Sequence, residues 1–113
     1  MTSSLTTDKV RELNDRFRTS VSSPLGTWFM TSGVTAEGPD FVALCIGHVM
    51  GFDAFTEDND PYGEHDFGSV KIAGETVFWK IDYYNPNLDG GSDDPADTTK
   101  THRVLTVMLA SEY

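Results

Sequence analysis

Six carboxylates fall within fourteen residues near the middle of the chain, and no other side chains are better placed to carry chemistry. They are Asp53, Glu57, Asp58, Asp60, Glu64 and Asp66, with His65 among them. Hard divalent cations prefer such oxygen ligands. The spacing departs from an EF-hand loop, because Pro61 and Tyr62 follow the run Asp58-Asn59-Asp60. Calcium or magnesium binding therefore stays an open alternative, and we expect no cofactor.

The histidine offers a second kind of chemistry. His65 beside a carboxylate could exchange protons near neutral pH, with Glu64, Asp66 or Asp82 as its partner. Adjacent residues of an extended chain point in opposite directions, so Glu64 and Asp66 would flank each other rather than both meet His65. A small metal-dependent or acid-base enzyme centred on His65 is therefore the alternative function.

The charge pattern favours a binding protein. The chain has 18 acidic and 8 basic residues, a formal charge of -10, and residues 53–97 hold twelve of the acids against only Lys71 and Lys80. Such a field repels nucleic acid and lipid headgroups and attracts basic partners. Carboxylates at fixed positions along a loop can imitate the phosphates of a duplex. The predicted partner is a basic nucleic-acid-binding protein, and the predicted contacts are Glu57, Asp58, Asp60, Tyr62, Glu64 and Asp66, with Tyr62 as an aromatic anchor.

The elements that must position this loop follow from hydrophobic spacing. Residues 8–18 predict an amphipathic helix with apolar side chains at Val10, Leu13 and Phe17. Four strands are predicted, at 27–34, 41–50, 67–73 and 76–84. The run DPAD at 94–97 is typical of a helix start, and Val104, Leu105, Met108 and Leu109 form an apolar stripe behind it.

The order of these elements is α-β-β-β-β-α, with short connections except at the acidic loop. It predicts one α+β domain over residues 1–113, a two-layer sandwich. The sheet would be a four-stranded antiparallel meander with the N-terminal and C-terminal helices on one face. If those helices cover Trp79 and Ile81, the outer face carries Phe78, Tyr84, Phe29 and Phe67. A homodimer joined through that outer sheet face is a further hypothesis.

Three observations bear on where the protein works. No apolar run approaches the roughly 18 residues of a membrane span, so we expect no membrane partner. The N-terminus lacks the pattern of a secretory signal, and the single Cys45 cannot form an internal disulfide. We therefore expect a cytoplasmic protein.

Several long blocks resemble a family of small bacterial proteins known only as a domain of unknown function. The blocks are RELNDRFR (11–18), FDAFTEDNDPYGEHDFGS (52–69), VFWKIDYYN (77–85), DPAD (94–97) and RVLTVMLASEY (103–113). The resemblance implies no catalytic residues or cofactor. It implies an origin on plasmids or prophage-like regions, which favours a role in conflict between mobile elements and hosts. The leading hypothesis is thus a mobile-element-encoded inhibitor of anti-CRISPR or anti-restriction type.

Overall fold

A computed structural model describes residues 5–113. Its helices are α1 (Leu5–Arg18), α2 (Ser32–Ala36) and α3 (Pro39–Met50), and its strands are β1 (Gly26–Met30), β2 (Phe67–Ile72), β3 (Glu75–Tyr84) and β4 (His102–Leu109). A short 3-10 turn at Ala110–Glu112 follows. The four strands form one sheet in the order β1-β4-β3-β2. The fold is therefore α+β, as predicted.

The sheet is mixed, and the predicted antiparallel meander is wrong. β3 pairs antiparallel with both β2 and β4, whereas β1 pairs parallel with β4. The last strand thus lies between the first and the third. A parallel pair needs a long crossover connection, and here the whole of α2, α3, β2 and β3 separates β1 from β4 in the chain.

The segment 41–50, predicted as a central strand, belongs to helix α3. Its buried side chains are Phe41, Cys45 and Val49, which recur every four residues on one side of the helix. Pro39 starts the helix, where its fixed φ is favourable and its missing N–H costs nothing. A continuous apolar run does not by itself distinguish a buried strand from a helix, and here length and the proline decide for the helix.

The segment after residue 97, predicted as a helix, is strand β4. Arg103, Leu105 and Val107 alternate as its fully buried residues. β4 lies between β1 and β3 and forms backbone hydrogen bonds with both. The Asp94 side chain does accept a hydrogen bond from the Ala96 N–H at 3.1 Å, but the bond closes a local turn instead of starting a helix.

The remaining elements largely follow the sequence pattern. The predicted N-terminal helix is confirmed, with Val10, Leu13 and Phe17 buried. The two strands that became β2 and β3 are also confirmed, whereas the strand predicted over 27–34 ends at Met30. It ends because Thr31 caps α2, its hydroxyl accepting a hydrogen bond from the Val34 N–H at 3.4 Å.

All three helices contribute to a core on one face of the sheet, the inner face. The core contains Phe17 from α1, Val34 from α2, Cys45 from α3 and the fully buried Trp79 from β3. Gly68 lies directly beneath Trp79, since a Cβ built on it would stand 2.3 Å from the indole Nε1. Trp79 and Ile81 belong to this core, so the condition set in the sequence analysis is met, although the predicted C-terminal helix is not among the helices that cover them. The strand registers place Phe29, Phe67, Phe78 and Tyr84 on the opposite, outer face, also as predicted.

Candidate functional site

The acidic loop, residues 51–66, joins the end of α3 to the start of β2. It contains turns but no helix or strand. Gly63 and His65 both take left-handed backbone conformations, with φ of 69° and 55°. A left-handed φ is uncommon for a histidine and persists only where other contacts hold it. The side chain of His65 supplies those contacts.

His65 is held between two carboxylates. Its Nδ1 lies 2.9 Å and 3.1 Å from the two carboxylate oxygens of Asp15 on α1, and its Nε2 lies 3.6 Å from Oδ2 of Asp60. The His65 backbone N–H also donates to both Asp60 oxygens, at 3.2 Å and 3.3 Å. The ring stacks on Phe55 with centroids 3.8 Å apart. The histidine thus ties the loop to α1.

Arg18 ties the same region to α3. This side chain is buried, and its Nη1 donates to the backbone oxygen of Val49 at 2.7 Å while its Nη2 donates to Asp15 at 3.2 Å. Its guanidinium lies over the rings of Phe55 and Trp79, at 5.3 Å and 5.2 Å. A cation at the C-terminal carbonyls of a helix interacts favourably with the helix dipole. Asp15 therefore joins an arginine and a histidine.

A second network holds the loop from the side of the sheet. Asn14 Nδ2 donates to the backbone oxygen of Glu64 at 2.9 Å and to the hydroxyl of Tyr83 at 2.8 Å. The Tyr83 hydroxyl in turn donates to the Glu64 carboxylate at 2.7 Å. Asn14 Oδ1 accepts from Nε of the fully buried Arg103 at 2.7 Å. One amide therefore connects α1, the loop, β3 and β4.

Burial shifts the ionisation of this second network. It raises the pKa of Tyr83 well above its usual value, and the hydrogen bond to Glu64 adds to the shift. It also lowers the pKa of Arg103. The largest consequence is at Asp66, where burial and then the neighbouring charge of Glu64 raise the carboxyl pKa to about 6. The carboxyl pKa of Asp66 therefore lies near neutral pH.

The six predicted contact residues fall into two groups. Glu57, Asp58 and Tyr62 are exposed, with Tyr62 at 77%. Asp60, Glu64 and Asp66 lie further in. The Asp60 side chain is only 6% exposed, and Asp60 and Glu64 accept the hydrogen bonds described above.

The exposed part of the loop has local support of its own. Asn59 Oδ1 accepts from the Thr56 N–H at 2.8 Å, and Asn59 Nδ2 donates to the Ala54 oxygen at 2.9 Å. Arg11 Nη1 donates to the Gly63 oxygen at 3.0 Å on the far side of the loop. The segment that carries Glu57 and Asp58 is therefore a closed turn with fixed ends.

The sequence interpretation missed the residues that hold the loop from α1. The polar side of an amphipathic helix usually faces solvent, yet Arg18 is buried and Asp15 contacts His65. The signal was present, because Arg11, Asn14, Asp15 and Arg18 have the i, i+3, i+4, i+7 spacing of one helical face. The contacts that hold Glu64 and His65 come from Asn14 and Asp15, fifty positions away in the sequence. The adjacency of Glu64, His65 and Asp66 does not predict them.

Two further features of the described residues concern metal ions and membranes. Within residues 5–113, no group of three or more His, Cys, Asp or Glu side chains is arranged to bind a metal ion. Over the same residues, no helix has the length and apolar character needed to cross a membrane.

Comparison with known families places the chain. Searches of curated proteins and of solved structures gave no significant match. A family model described as "Protein of unknown function (DUF3768)" matches residues 30–112, which include the acidic loop and all strands except the first four residues of β1. Helix α1, with Asn14, Asp15 and Arg18, lies outside the matched range. Since the match spans well over half of the sequence, the chain belongs to this family of unknown function.

Proposed function

We propose that this protein is an acidic, non-enzymatic binding protein whose acidic loop docks on a basic nucleic-acid-binding surface of another protein. A mobile-element-encoded inhibitor of anti-CRISPR or anti-restriction type is the specific role that we favour. Targets of that kind carry grooves lined with lysine and arginine, which an array of fixed carboxylates can occupy in place of phosphates.

One observation carries the proposal: the acidic loop is held from behind, and its exposed acids point away from the protein. Asp15 and Asp60 hold His65, and Asn14 holds Glu64. A loop held in one conformation loses less entropy on binding than a mobile loop. The exposed Glu57 and Asp58 can therefore meet a basic partner at little ordering cost.

The inner carboxylates have a different role in this proposal. Asp60 and Glu64 keep the loop in shape through His65 and Tyr83, and with Asp66 they add to the negative field behind its exposed turn. Tyr62, at 77% exposure, supplies the aromatic surface that binding hot spots commonly use. Because the formal charge is -10, direct binding of nucleic acid is opposed.

The test is a capture experiment from nuclease-treated host lysate, followed by elution along a salt gradient. Wild-type protein is compared with the double variant Glu57→Gln/Asp58→Asn. The matched control is Glu37→Gln/Asp40→Asn, which removes one glutamate and one aspartate from exposed positions outside the loop. We expect one nucleic-acid-binding protein to be captured by the wild type and the control and released as salt screens the contact.

The double variant should lose most of that protein, and Tyr62→Ala should weaken its capture. Equal recovery with the loop variant and the control would place the contact elsewhere on the molecule. If the captured protein binds no nucleic acid, the proposed function is wrong.

An acid-base enzyme centred on His65 is less well supported by the geometry. Both ring nitrogens face carboxylates, Nδ1 towards Asp15 and Nε2 towards Asp60. A general base needs hydrogen-bond reach to its substrate, whereas the contacts of both nitrogens are with carboxylates of the protein itself. Glu64, one proposed partner of the histidine, bonds Tyr83 instead.

A further inference from the structure

The contacts of the His65 ring suit its charged form and not its neutral form. Nδ1 lies 2.9 Å and 3.1 Å from the two oxygens of Asp15, and Nε2 lies 3.6 Å from Oδ2 of Asp60. A neutral imidazole has one N–H group and a lone pair at its other nitrogen, whereas the charged ring carries an N–H at both. The charged ring therefore directs a proton at each carboxylate, and the neutral ring directs a lone pair at one of them.

The two carboxylates differ in what else supports them. Asp15 has a side chain that is 40% exposed, and it also accepts a hydrogen bond from Nη2 of Arg18 at 3.2 Å. An arginine stays charged at every pH of interest, so Asp15 always keeps a cation. The Asp60 side chain is 6% exposed, and over residues 5–113 its ion pair is the one with His65. Loss of the ring proton therefore affects Asp60 more than Asp15.

The distances indicate which N–H the neutral ring keeps. The contact of Nδ1 with Asp15 is a hydrogen bond, so the remaining proton stays there and Nε2 presents its lone pair to Asp60. A lone pair and a carboxylate repel each other, and a nearly buried carboxylate that loses its cation is costly. Asp60 then keeps the backbone N–H of His65 as its donor.

A second group of the loop changes charge in the same pH range. Burial, and then the charge of Glu64, raise the carboxyl pKa of Asp66 to about 6. Asp60 and Asp82 add smaller contributions in the same direction. Imidazole ordinarily loses its proton between about pH 5 and about pH 8. Over this range the loop therefore gains a negative charge at Asp66 while it loses a positive charge at His65.

We propose that the acidic loop is a pH-sensitive switch, closed on α1 while the His65 ring is charged and released when that ring becomes neutral. The part that moves is the turn at 56–63, which carries Glu57, Asp58 and Tyr62. The inference depends only on contacts within the chain, so it holds whatever the loop binds.

The backbone of the loop is able to change in this way. Gly63 and His65 take left-handed φ values of 69° and 55°, and a histidine keeps such a value only where other contacts hold it. The His65 ring is stacked on Phe55, with centroids 3.8 Å apart, and stays bonded to Asp15. The ring therefore remains in place, and the turn that contains Asp60 moves away from it.

The other charged and titratable groups around the ring do not oppose this response. They are Arg11, Asp15 and Arg18 on α1, Glu64 in the loop, Lys80, Asp82 and Tyr83 on β3, and Arg103 on β4. The arginines stay charged. Burial, together with the hydrogen bond to Glu64, raises the pKa of Tyr83 well above its usual range, so Tyr83 stays neutral. His65 and Asp66 are therefore the groups whose change of charge operates the switch.

Both changes weaken the closed loop as the pH rises. The carboxylates beside His65 are brought there by folding, so the stabilisation from the charged ring is full at low pH and is lost as the ring loses its proton. The pKa of Asp66 is raised by folding, so its ionisation costs nothing at low pH and its cost grows up to about pH 6. The two contributions have the same sign.

The test is hydrogen exchange of loop amides in the full chain at about pH 5.5 and about pH 8, on either side of the range in which imidazole changes charge. The reporters are the N–H groups that hold the turn, those of Thr56, Asn59, Asp60, Gly63 and His65. Each exchange rate is divided by the rate of an unstructured chain at the same pH, which removes the chemical effect of pH. We expect this protection to fall at least about tenfold at the higher pH, as for the loss of one charged hydrogen bond.

A substitution at the histidine separates its contribution from that of Asp66. His65→Asn removes the titrating ring and keeps a residue type that tolerates the left-handed backbone. It should reduce the fall in protection to about threefold or less, the part that a half-buried, partly screened Asp66 contributes. The matched control is His48→Asn, which makes the same change at an exposed histidine on α3 and should leave the full response.

Asp60→Asn provides a second, independent test. Its amide can donate to the lone pair of the neutral ring, and its oxygen can still accept the His65 backbone N–H. The loop of this variant should therefore be better protected than that of the wild type at about pH 8, where the ring is neutral.

Equal protection of the wild-type loop at both pH values overturns the proposal. So does a fall that is as large in His65→Asn as in the wild type, or one that His48→Asn abolishes. If His65→Asn does not fold, Asp60→Asn decides, and a loop that it leaves as poorly protected as the wild type at the higher pH overturns the proposal.

Discussion

His65 lies between a carboxylate of α1 and a carboxylate of its own loop. Its contacts explain why a non-glycine residue holds a φ of 55° there. They also explain how the nearly buried Asp60 side chain, 6% exposed, is compensated, since the His65 backbone and ring both face it. His65 thus joins the acidic loop to α1.

Replacing this side chain should loosen the loop. We expect His65→Ala to lower the free energy of unfolding by about 2 kcal/mol, because charged groups lose their hydrogen-bond partner at a part-buried site. Urea unfolding at pH 6 measures the change, with His48→Ala as the control, since His48 is exposed on α3. If the two variants are equally stable, His65 does not hold the acidic loop to α1.

The charge on Asp66, unlike the contacts of His65, destabilises the folded protein, because burial raises the carboxyl pKa of Asp66 to about 6. The folded protein therefore holds a proton on Asp66 at pH values where the unfolded chain, with a pKa near 3.8, has released it. Ionisation of Asp66 thus opposes folding. This contribution is absent at pH values below both pKa values, grows as the pH rises from about 4 to 6, and is constant above 6.

Asp66→Asn should therefore stabilise the protein at pH 7.5. We expect a gain of about 1 kcal/mol, well below the full value of the shift because this half-buried group is partly screened by water. The gain should shrink at pH 4.5, where folded Asp66 is already protonated. Urea unfolding at both pH values measures it, with the exposed Asp58→Asn as the control. A loss of stability at pH 7.5 would contradict this assignment.

At the scale of elements, the packing of Trp79 on β3 against β2 depends on a glycine at position 68. Gly68 pairs with Trp79 in the sheet, and an added Cβ would stand within 2.8 Å of three atoms of the indole. The indole is fully buried at the centre of the core, so it has no room to retreat. Gly47 on α3 is the contrasting case, because an added Cβ there meets nothing within 4 Å.

The two glycines should therefore respond in opposite ways to alanine. Gly68→Ala should lower the free energy of unfolding by about 2 kcal/mol through overpacking. Gly47→Ala should raise it by about 0.5 kcal/mol, because alanine is the better helix former. Thermal and urea unfolding of the pair measure both changes. A neutral Gly68→Ala would mean that Trp79 does not pack on this strand.

How far the elements could be predicted depended on their hydrophobic period. α1 and β3 bury side chains at clear helical and alternating spacings, and both were predicted correctly. The sequence of α3 is apolar at nearly every position, which hides the helical period of its buried residues. In β4 the apolar residues Val104, Leu105, Met108 and Leu109 have spacings that fit a helix as well as a strand. Tertiary pairing, which a local pattern does not contain, decided β4.

The candidate site was predictable only in part for a related reason. The loop's composition marked it as the candidate site, and Glu57, Asp58 and Tyr62 are exposed on it. The inward direction of Asp60 and Glu64 depends on Asn14 and Asp15, about fifty positions away. Such long-range contacts leave no trace in the spacing of the loop itself.

At the scale of the whole molecule, charge is the dominant property. The formal charge of -10 arises entirely from residues 53–97, since acids and bases are equal in number in the rest of the chain. Self-repulsion on this scale destabilises a compact state, and salt screens it.

We therefore expect the melting temperature to rise by a few degrees as sodium chloride increases from about 0.02 M to about 0.3 M, over which the Debye length falls several-fold. Differential scanning calorimetry measures it, and Glu57→Gln/Asp58→Asn should show a smaller rise. A melting temperature that falls with salt would mean that ion pairs outweigh the net repulsion. Such pairs join Asp15 to Arg18 and Lys80 to Asp82.

The central claim is that the acidic loop takes the place of nucleic acid on its partner. Its most direct test is the fluorescence anisotropy of a labelled duplex bound to the captured protein, as this chain is added. We expect the wild type and Glu37→Gln/Asp40→Asn to displace the duplex, and Glu57→Gln/Asp58→Asn to need at least about tenfold more protein, as for loss of hot-spot contacts. A duplex that stays bound while this protein binds beside it, or equal displacement by all three proteins, would contradict the account.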